Sequence, residues 1–266
     1  MTQNTARQPA LYLPHGGGPC FFMPDPRGTW IGMEAFLRGV AETLPQRPRA
    51  ILIVSGHWET EGFAFTGNPQ PDLIFDYYGF PVETYALTYP APGDPALAAR
   101  ARDLLLAAGL PASVDATRGL DHGVFVPMKV AFPDADIPVV EMSVDRTLDP
   151  AQHLAAGRAL APLRDDNVLL LMTGMSFHNM RGYGDPRATE PSQQFDAWLT
   201  DAATRGAEER AALLTGWAEA PAGRFSHPRE EHLLPMMIAA GASDAAGTRI
   251  YSEVVTKTAL SAYSFA

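Results

Sequence analysis

Four apolar runs punctuate the chain, none alternating with polar residues: ALYLPHG (10–16), RAILIVSGHW (49–58), IPVVEMSV (137–144) and NVLLLMTGM (167–175). Unbroken aliphatic and β-branched runs bounded by turn residues predict strands covered on both faces. Between them apolar residues recur at helical spacing. DPALAARARDLLLAAG (94–109) opens with Asp94 as an N-cap and Pro95 at the first helical position, and closes on Gly109. An aspartate there accepts from a free first-turn N–H, and proline fits because its missing N–H would have had no partner. DPAQHLAAGRALAPL (149–163) repeats that opening. Strands alternating with helices predict an α/β fold with a central, largely parallel or mixed sheet flanked by helices. In such sheets ligands bind at the C-terminal ends of the strands. No repeat, low-complexity tract or linker divides residues 1–266, so one catalytic-sized domain is expected, with residues 1–9 as a flexible N-terminus.

Composition narrows the function. A chain of 266 residues, 46% hydrophobic, can bury a substantial core. Its formal charge of −10, with no basic run to offset it, argues against nucleic acid and anionic membrane surfaces. A single cysteine, Cys20, rules out an internal disulfide framework and fits a reducing compartment. The polar start MTQNTARQPA lacks a secretory core. The apolar runs fall well short of the roughly 18 residues of a membrane span. A cytoplasmic protein acting on a small molecule, as a monomer or homodimer, is the expectation.

The histidines carry the candidate chemistry. His15, His57 and His178 each lie at or just past the end of a predicted strand, in LPHGGG, SGHW and GMSFHNM. Strand ends of one sheet could bring the three into a single crevice. His122 sits in GLDHGVFVP, between Gly119 and Gly123. In FSHPREEHLLPMM, His227 reads as an N-cap, Pro228 as the first helical residue and Glu230 as the reciprocal capping residue, which puts His232 on the second turn. Five residues apart on a helix is about 140° of rotation, so His227 and His232 should not share one ion. The one within the helix is the better fixed. His153 falls in an ordinary amphipathic helix and reads as solvated. Neutral imidazole is the commonest metal ligand, and several histidines in glycine-flanked loops fit a metal site as well as they fit separate structural uses.

HGGG also matches the oxyanion loop of some esterases. That chemistry needs a nucleophile elbow, G-x-S-x-G, and GMSFH (174–178) has His178 where the second glycine belongs. Cys20 alone is a weak nucleophile candidate. H-E-x-x-H, the phosphate-cradling loop, G-x-G-x-x-G and paired C-x-x-C are all missing.

In order along nearly the whole chain, PHGGGP, ILIVSGHWET, DYYGFP, LTYPAPGDP, GLDHGVFVPMKVAFPDADIPVVEMSVD, GMSFHNM and HPREEHLLPMMIAAGA resemble the DODA-type extradiol aromatic ring-opening dioxygenases. This is the class III family related to the protocatechuate 4,5-dioxygenase catalytic subunit. The resemblance implies a non-haem metal held by His15, His57 and His232, with His178 either a fourth ligand or a base against the same ion. It implies that His122 lines the pocket as an acid–base or substrate-orienting residue. It also implies Fe(II) as the working metal, with Zn(II) able to occupy the site on purification, and a catechol and O2 as substrates. The substrate named by the family is 3,4-dihydroxyphenylalanine (DOPA). Its 4,5-cleavage gives a seco-product that cyclises to betalamic acid. Trp58, Tyr77 and Tyr78 are candidate walls for the aromatic ring, Asp121 could orient His122 or cap the next segment, and Asn179 stands beside His178. Many relatives carry H-G-S-P where this chain has HGGGP, and no histidine at position 227; the stretch FDYYGFP (75–81) also differs in detail. A zinc hydrolase using the same imidazoles and a metal-free binding relative are the other classes that these residues allow.

Overall fold

The four apolar runs become neighbouring parallel strands at the centre of one sheet. The computed structural model describes residues 7–266. Its strands are β1 (Ala10–Pro14), β2 (Ala50–Thr60), β3 (Phe63–Thr66), β4 (Leu73–Ile74), β5 (Ala112–Asp115), β6 (Leu120–Asp121), β7 (Val139–Asp145), β8 (Val168–Gly174), β9 (Thr248–Val255) and β10 (Thr258–Phe265). Eight of them form a mixed sheet in the order β5-β3-β7-β2-β8-β1-β10-β9, and β4 and β6 pair separately. β7, β2, β8 and β1 run parallel; β10 is antiparallel to β1 and to β9, and β3 antiparallel to β7. The expected α/β architecture stands.

Successive strand residues face opposite sides, so each central strand feeds two cores. Tyr12, Leu52, Val54 and Leu170 enter one apolar cluster; Leu11, Leu13, Ile51, Ile53 and Leu171 enter the other. The helices are α1 (Ile31–Gly39), α2 (Pro95–Ala107), α3 (His122–Ala131), α4 (Pro150–Leu160), α5 (Thr189–Thr204), α6 (Ala207–Thr215), α7 (Gly223–Ser226) and α8 (Leu234–Gly241). Helices α2, α4, α5 and α8 supply the first cluster, α1 and α3 the second. The sheet is therefore covered on both faces, as its unalternated strands require. Among the described residues no helix is long and apolar enough to cross a membrane.

Both Asp-Pro openings behave as read. Asp94 accepts from Leu97 N at 2.9 Å and Asp149 from Ala151 N at 2.8 Å. The segment after His227 does not. His227 is the C-cap of α7, residues 228–233 form turns, and α8 starts only at Leu234, with Pro235 in its first turn. The proline signal was real but belonged to Pro235, and Glu230 pairs with Arg224 at 2.6 Å instead of capping. Tertiary packing overrides local preference here. A Cβ on Gly174 would stand 2.1 Å from the His232 carbonyl oxygen, and one on Gly56 2.6 Å from that of Glu231. The two glycines of TGM and SGH thus give the 231–232 loop a seat against β8 and β2.

Two further expectations are corrected. His153 is wholly buried, not solvated: its Nδ1 donates to Asp149 O at 2.7 Å and its Nε2 accepts from Asp145 N at 3.2 Å. The N-terminal stretch is tied down where it can be followed. Gln8 is fully buried, its Nε2 donates to Asn167 Oδ1 and Gln46 O, and Arg164 Nε donates to its carbonyl at 2.6 Å. The rest of that expectation, residues 1–6, lies outside the described residues.

Candidate metal centre

Each strand end delivers an imidazole to the same place. His15 follows β1 directly, and the chain then turns through Gly16 and Gly18 at φ of +82° and +55°, a region closed to most side chains. His57 sits where the β2–β7 register breaks, between Val54 and Glu59. An irregularity there re-aims a side chain that a regular strand would have buried. His122 begins α3, and His178 lies past β8. His232 rides on the loop seated against Gly56 and Gly174. Ring centroids are 5.0 Å apart for His15–His57, 5.1 Å for His15–His232 and 4.6 Å for His57–His232. His122 lies 4.0 Å from His57, and His178 stacks on His232 at 3.4 Å.

The second nitrogen of each ring fixes the role of the first. His15 Nδ1 donates to Gly16 O at 2.9 Å, and His232 Nδ1 to Glu231 Oε1 at 2.9 Å. His57 Nδ1 faces Asp76 Oδ2 at 3.6 Å. His15 and His232 are thereby set with the proton on Nδ1 and the lone pair on Nε2. His15 Nε2 is buried without any partner, while the Nε2 atoms of His57 and His232 lie only 3.2 Å apart. Two ligands at about 2.0–2.1 Å from one first-row ion are separated by roughly that much. Burial, then the neighbouring imidazoles, hold His15 and His232 well below the usual histidine pKa; burial with His122 beside it lowers His57 to about 4. Near neutral pH all three are uncharged donors. Ligand atoms of His15, His57 and His122 lie within 4.8 Å of one another, as do those of His178, Glu231 and His232, and the His57–His232 approach joins the two groups; this donor set fits a divalent metal.

The carboxylates behind them were not found from the sequence. Asp76 Oδ1 accepts from His122 N at 3.0 Å and from His122 Nδ1 at 2.7 Å. Burial would raise the Asp76 carboxyl, but the His122 bonds outweigh it and leave it below its ordinary value. Glu231 Oε1 receives both His232 Nδ1 and, at 3.2 Å, His178 Nδ1. Asp76 adjoins the aromatic stretch YYGF and Glu231 directly precedes His232; adjacency of acid and imidazole was the available signal. Asp121 neither orients His122 nor caps α3 through its side chain. It is fully buried under the β2 irregularity, taking Ser55 Oγ at 2.8 Å and Arg118 at 3.1 Å beside Glu141, whose carboxyl is pushed up by burial and then by Asp121. Asn179 holds backbone, donating to Phe225 O.

His15, His57, His122 and His178 line a cavity of about 540 Å³; His232 does not. Tyr77 and Tyr78 line it, with Trp30, Phe80, Met175, Met180 and Tyr183. Trp58 does not: its ring lies 4.2 Å under the Arg118 guanidinium, away from that wall. Cys20 is buried, with a thiol pushed up to about 12 by burial, so it offers no thiolate nucleophile.

Residues 10–266 match the family model described as the catalytic LigB subunit of aromatic ring-opening dioxygenase. The chain belongs to this family. It is an extradiol ring-cleavage dioxygenase, and family and histidine cluster agree on a metal-dependent enzyme. Among its relatives, Dioxygenase tasH of Hapsidospora irregularis is 40% identical over 88% of this chain and 78% of its own length. The 4,5-DOPA dioxygenase extradiol of Beta vulgaris is 39% identical over 88% of this chain and 86% of its own. The protein of the same name from Escherichia coli K12 is 38% identical over 91% and 87%. The crystal structure of an uncharacterized E. coli K12 protein superposes with a TM-score of 0.75 at 32% identity, covering 98% of this chain and 100% of that one.

His227 stands apart from this dioxygenase site. Wholly buried between Phe195 and Trp217, it donates from Nε2 to Ser176 O at 3.0 Å, and burial lowers its pKa to about 3. An unfolded histidine titrates near 6.5. From about pH 6.5 down to 3, therefore, the unfolded chain binds the proton that the folded one refuses, and stability falls with pH through that window. Urea midpoints of the metal-free protein should drop from about pH 6.5 towards 4, less steeply in His227→Leu. An identical slope in the variant would mean that His227 is not held neutral in the core. His227→Ala should cost roughly 2–4 kcal/mol, for the cavity and the orphaned carbonyl together, and leave metal content intact.

Proposed function

We propose that this dioxygenase uses Fe(II), held by His15, His57 and His232, to open a catechol ring beside rather than between its two hydroxyls. DOPA, cleaved at its 4,5-bond to a seco-product that cyclises to betalamic acid, is the compound to assay first, because several relatives bear its name. The observation that carries the reading is the gathering of the His15, His57 and His232 rings, with centroids 4.6–5.1 Å apart and the His15 Nε2 buried without a partner, beside a cavity that His15 and His57 line together with aromatic side chains. When bound, the metal supplies Lewis acidity and a redox path from catecholate to dioxygen.

The surrounding residues manage protons and position. His178 gives its Nδ1 proton to the bond with Glu231, so its Nε2 is free to take the second catechol proton. Asp76 fixes His122 in the same way, leaving the His122 Nε2 to orient a hydroxyl and to return a proton as the ring opens. The apolar wall excludes water, which strengthens these contacts and protects the intermediates from hydrolysis.

Zn(II) competes well for imidazole sites but has no accessible redox change. Chelation followed by Fe(II) and a reductant should give a yellow ring-opened product with uptake of O2 matching the catechol consumed, and zinc-loaded protein should give none. Equal activity with both metals, or turnover without oxygen, would reject Fe(II)-dependent oxygenation and favour the zinc hydrolase.

A further inference from the structure

Beyond the imidazoles, the cavity offers an incoming substrate mostly ring faces and thioethers, with the Gly16–Gly18 backbone and the Thr256 hydroxyl, but no cation. Its wall is Trp30, Tyr77, Phe80 and Tyr183, with Met175 and Met180. Two of its three phenols are already engaged, Tyr77 donating to Thr84 O at 2.7 Å and Tyr183 to Phe177 O at 2.6 Å, while the third, Tyr78, lies out in solvent. The glycine run bears on this wall. A Cβ at position 18 would lie 2.7 Å from the Phe80 ring and one at position 17 3.2 Å from Trp30, so both rings can rest on the backbone beside His15.

Among the described residues no lysine or arginine lines the cavity. The nearby cations are engaged or face elsewhere. Arg118 serves Asp121 and Glu141, and Arg229 pairs with Glu59 and Glu231. Lys257 follows the lining residue Thr256 but faces an adjoining groove with Glu253, and Arg181 follows Met180 but lines another with Asp185. Two carboxylates, Asp76 and Glu231, already stand behind the histidines. At the mouth Tyr78 is 90% exposed and Met180 70% exposed, apolar groups of a kind that marks a binding surface when they cluster. The volume falls within the roughly 300–1,000 Å³ typical of sites for drug-sized ligands, which leaves room beyond one catechol ring.

The geometry points to catechols with an uncharged apolar arm, alkyl or aryl, as the preferred substrates, ahead of those carrying a carboxylate, DOPA included. A carboxylate drawn along this wall loses its water and meets no cation, with the Thr256 hydroxyl the one unpartnered buried side-chain polar group beyond the imidazoles among the described lining residues, whereas an apolar arm gains by burial. The inference rests on the ring-cleavage reading and sharpens it: DOPA is a substrate of high KM.

The test compares 4-propylcatechol with 3-(3,4-dihydroxyphenyl)propionate, which match in length and differ in charge, and adds 4-phenylcatechol and DOPA. With Fe(II)-reconstituted protein, kcat/KM for the propyl and phenyl compounds should exceed that for the propionate by about tenfold or more, carried by KM. Calorimetric titration of Zn(II)-loaded protein under argon reads the same preference without turnover. Failure to cleave any catechol would therefore sink the ring-cleavage reading while the binding ratio still decides this one. No preference, or the reverse, would overturn the proposal. So would a rise in KM for the propionate on Lys257→Ala, because it would reveal a cation partner. Met180→Arg, which sets a guanidinium at the mouth, should narrow the ratio; an unmoved ratio counts against the proposal.

Discussion

His232→Ala should lose bound metal and ring cleavage together while the protein stays folded. The fold depends on this residue through its backbone. Its carbonyl accepts from the Tyr12 hydroxyl at 2.8 Å and from Met175 N at 3.2 Å, and its loop rests on Gly56 and Gly174. Alanine keeps all of that. What goes is one of the three Nε2 donors, the one 3.2 Å from its counterpart on His57. Changes behind a ligand already cost roughly 10–100-fold in metal affinity or activity, and removing the ligand itself should cost more. Metal analysis after gel filtration and a far-UV spectrum decide the matter. A folded variant with stoichiometric metal would strike His232 from the ligand set, and loss of metal from His227→Ala instead would point to the wrong histidine.

For His178→Ala and His122→Ala, turnover should fall by about 10²–10⁴, the range for loss of a general acid or base, with metal content nearly unchanged. Both rings present a free Nε2 because a carboxylate holds Nδ1, Glu231 in one case and Asp76 in the other. Asp76→Asn should copy part of the His122 defect, since an amide can offer that nitrogen either a donor or an acceptor and no longer fixes the tautomer. Clear metal loss from His178→Ala would make His178 a fourth ligand rather than a base, a choice that its stacking on His232 leaves open to measurement.

The sequence was most legible where one local rule governs. Unalternated apolar runs gave β1, β2, β7 and β8, and Asp-Pro gave the starts of α2 and α4, because burial on both faces and first-turn capping are short-range demands. Imidazoles at the ends of adjacent parallel strands could converge, so His15, His57 and His178 were legible as one group, and all three line the same cavity. Long-range contacts hid the rest. Pro228 looked like a helix start because nothing local reveals that Gly174 and Gly56 pin residues 231–232 as turns. His153 and His227 looked like a surface residue and a cap, yet both lie in the core, bonded to Asp149, Asp145 and Ser176. Trp58 was drawn to the pocket by its place beside His57, but the irregularity in β2 turns it towards Arg118. Asp76 and Glu231 were read past because a lone acid carries no periodic signal.

The strand order sets a timetable for synthesis. β1 carries His15 to the site, yet both strands that flank it, β8 and β10, come from the last hundred residues of the chain. During translation the first ligand must therefore wait, unpaired, while the middle of the sheet is made. The His232 loop is made more than two hundred residues after His15. His15, His57 and His232 can therefore come together only after residue 232 has been made. Contacts so distant in sequence also slow folding, so assembly of this site waits on the slowest, longest-range pairings of the sheet.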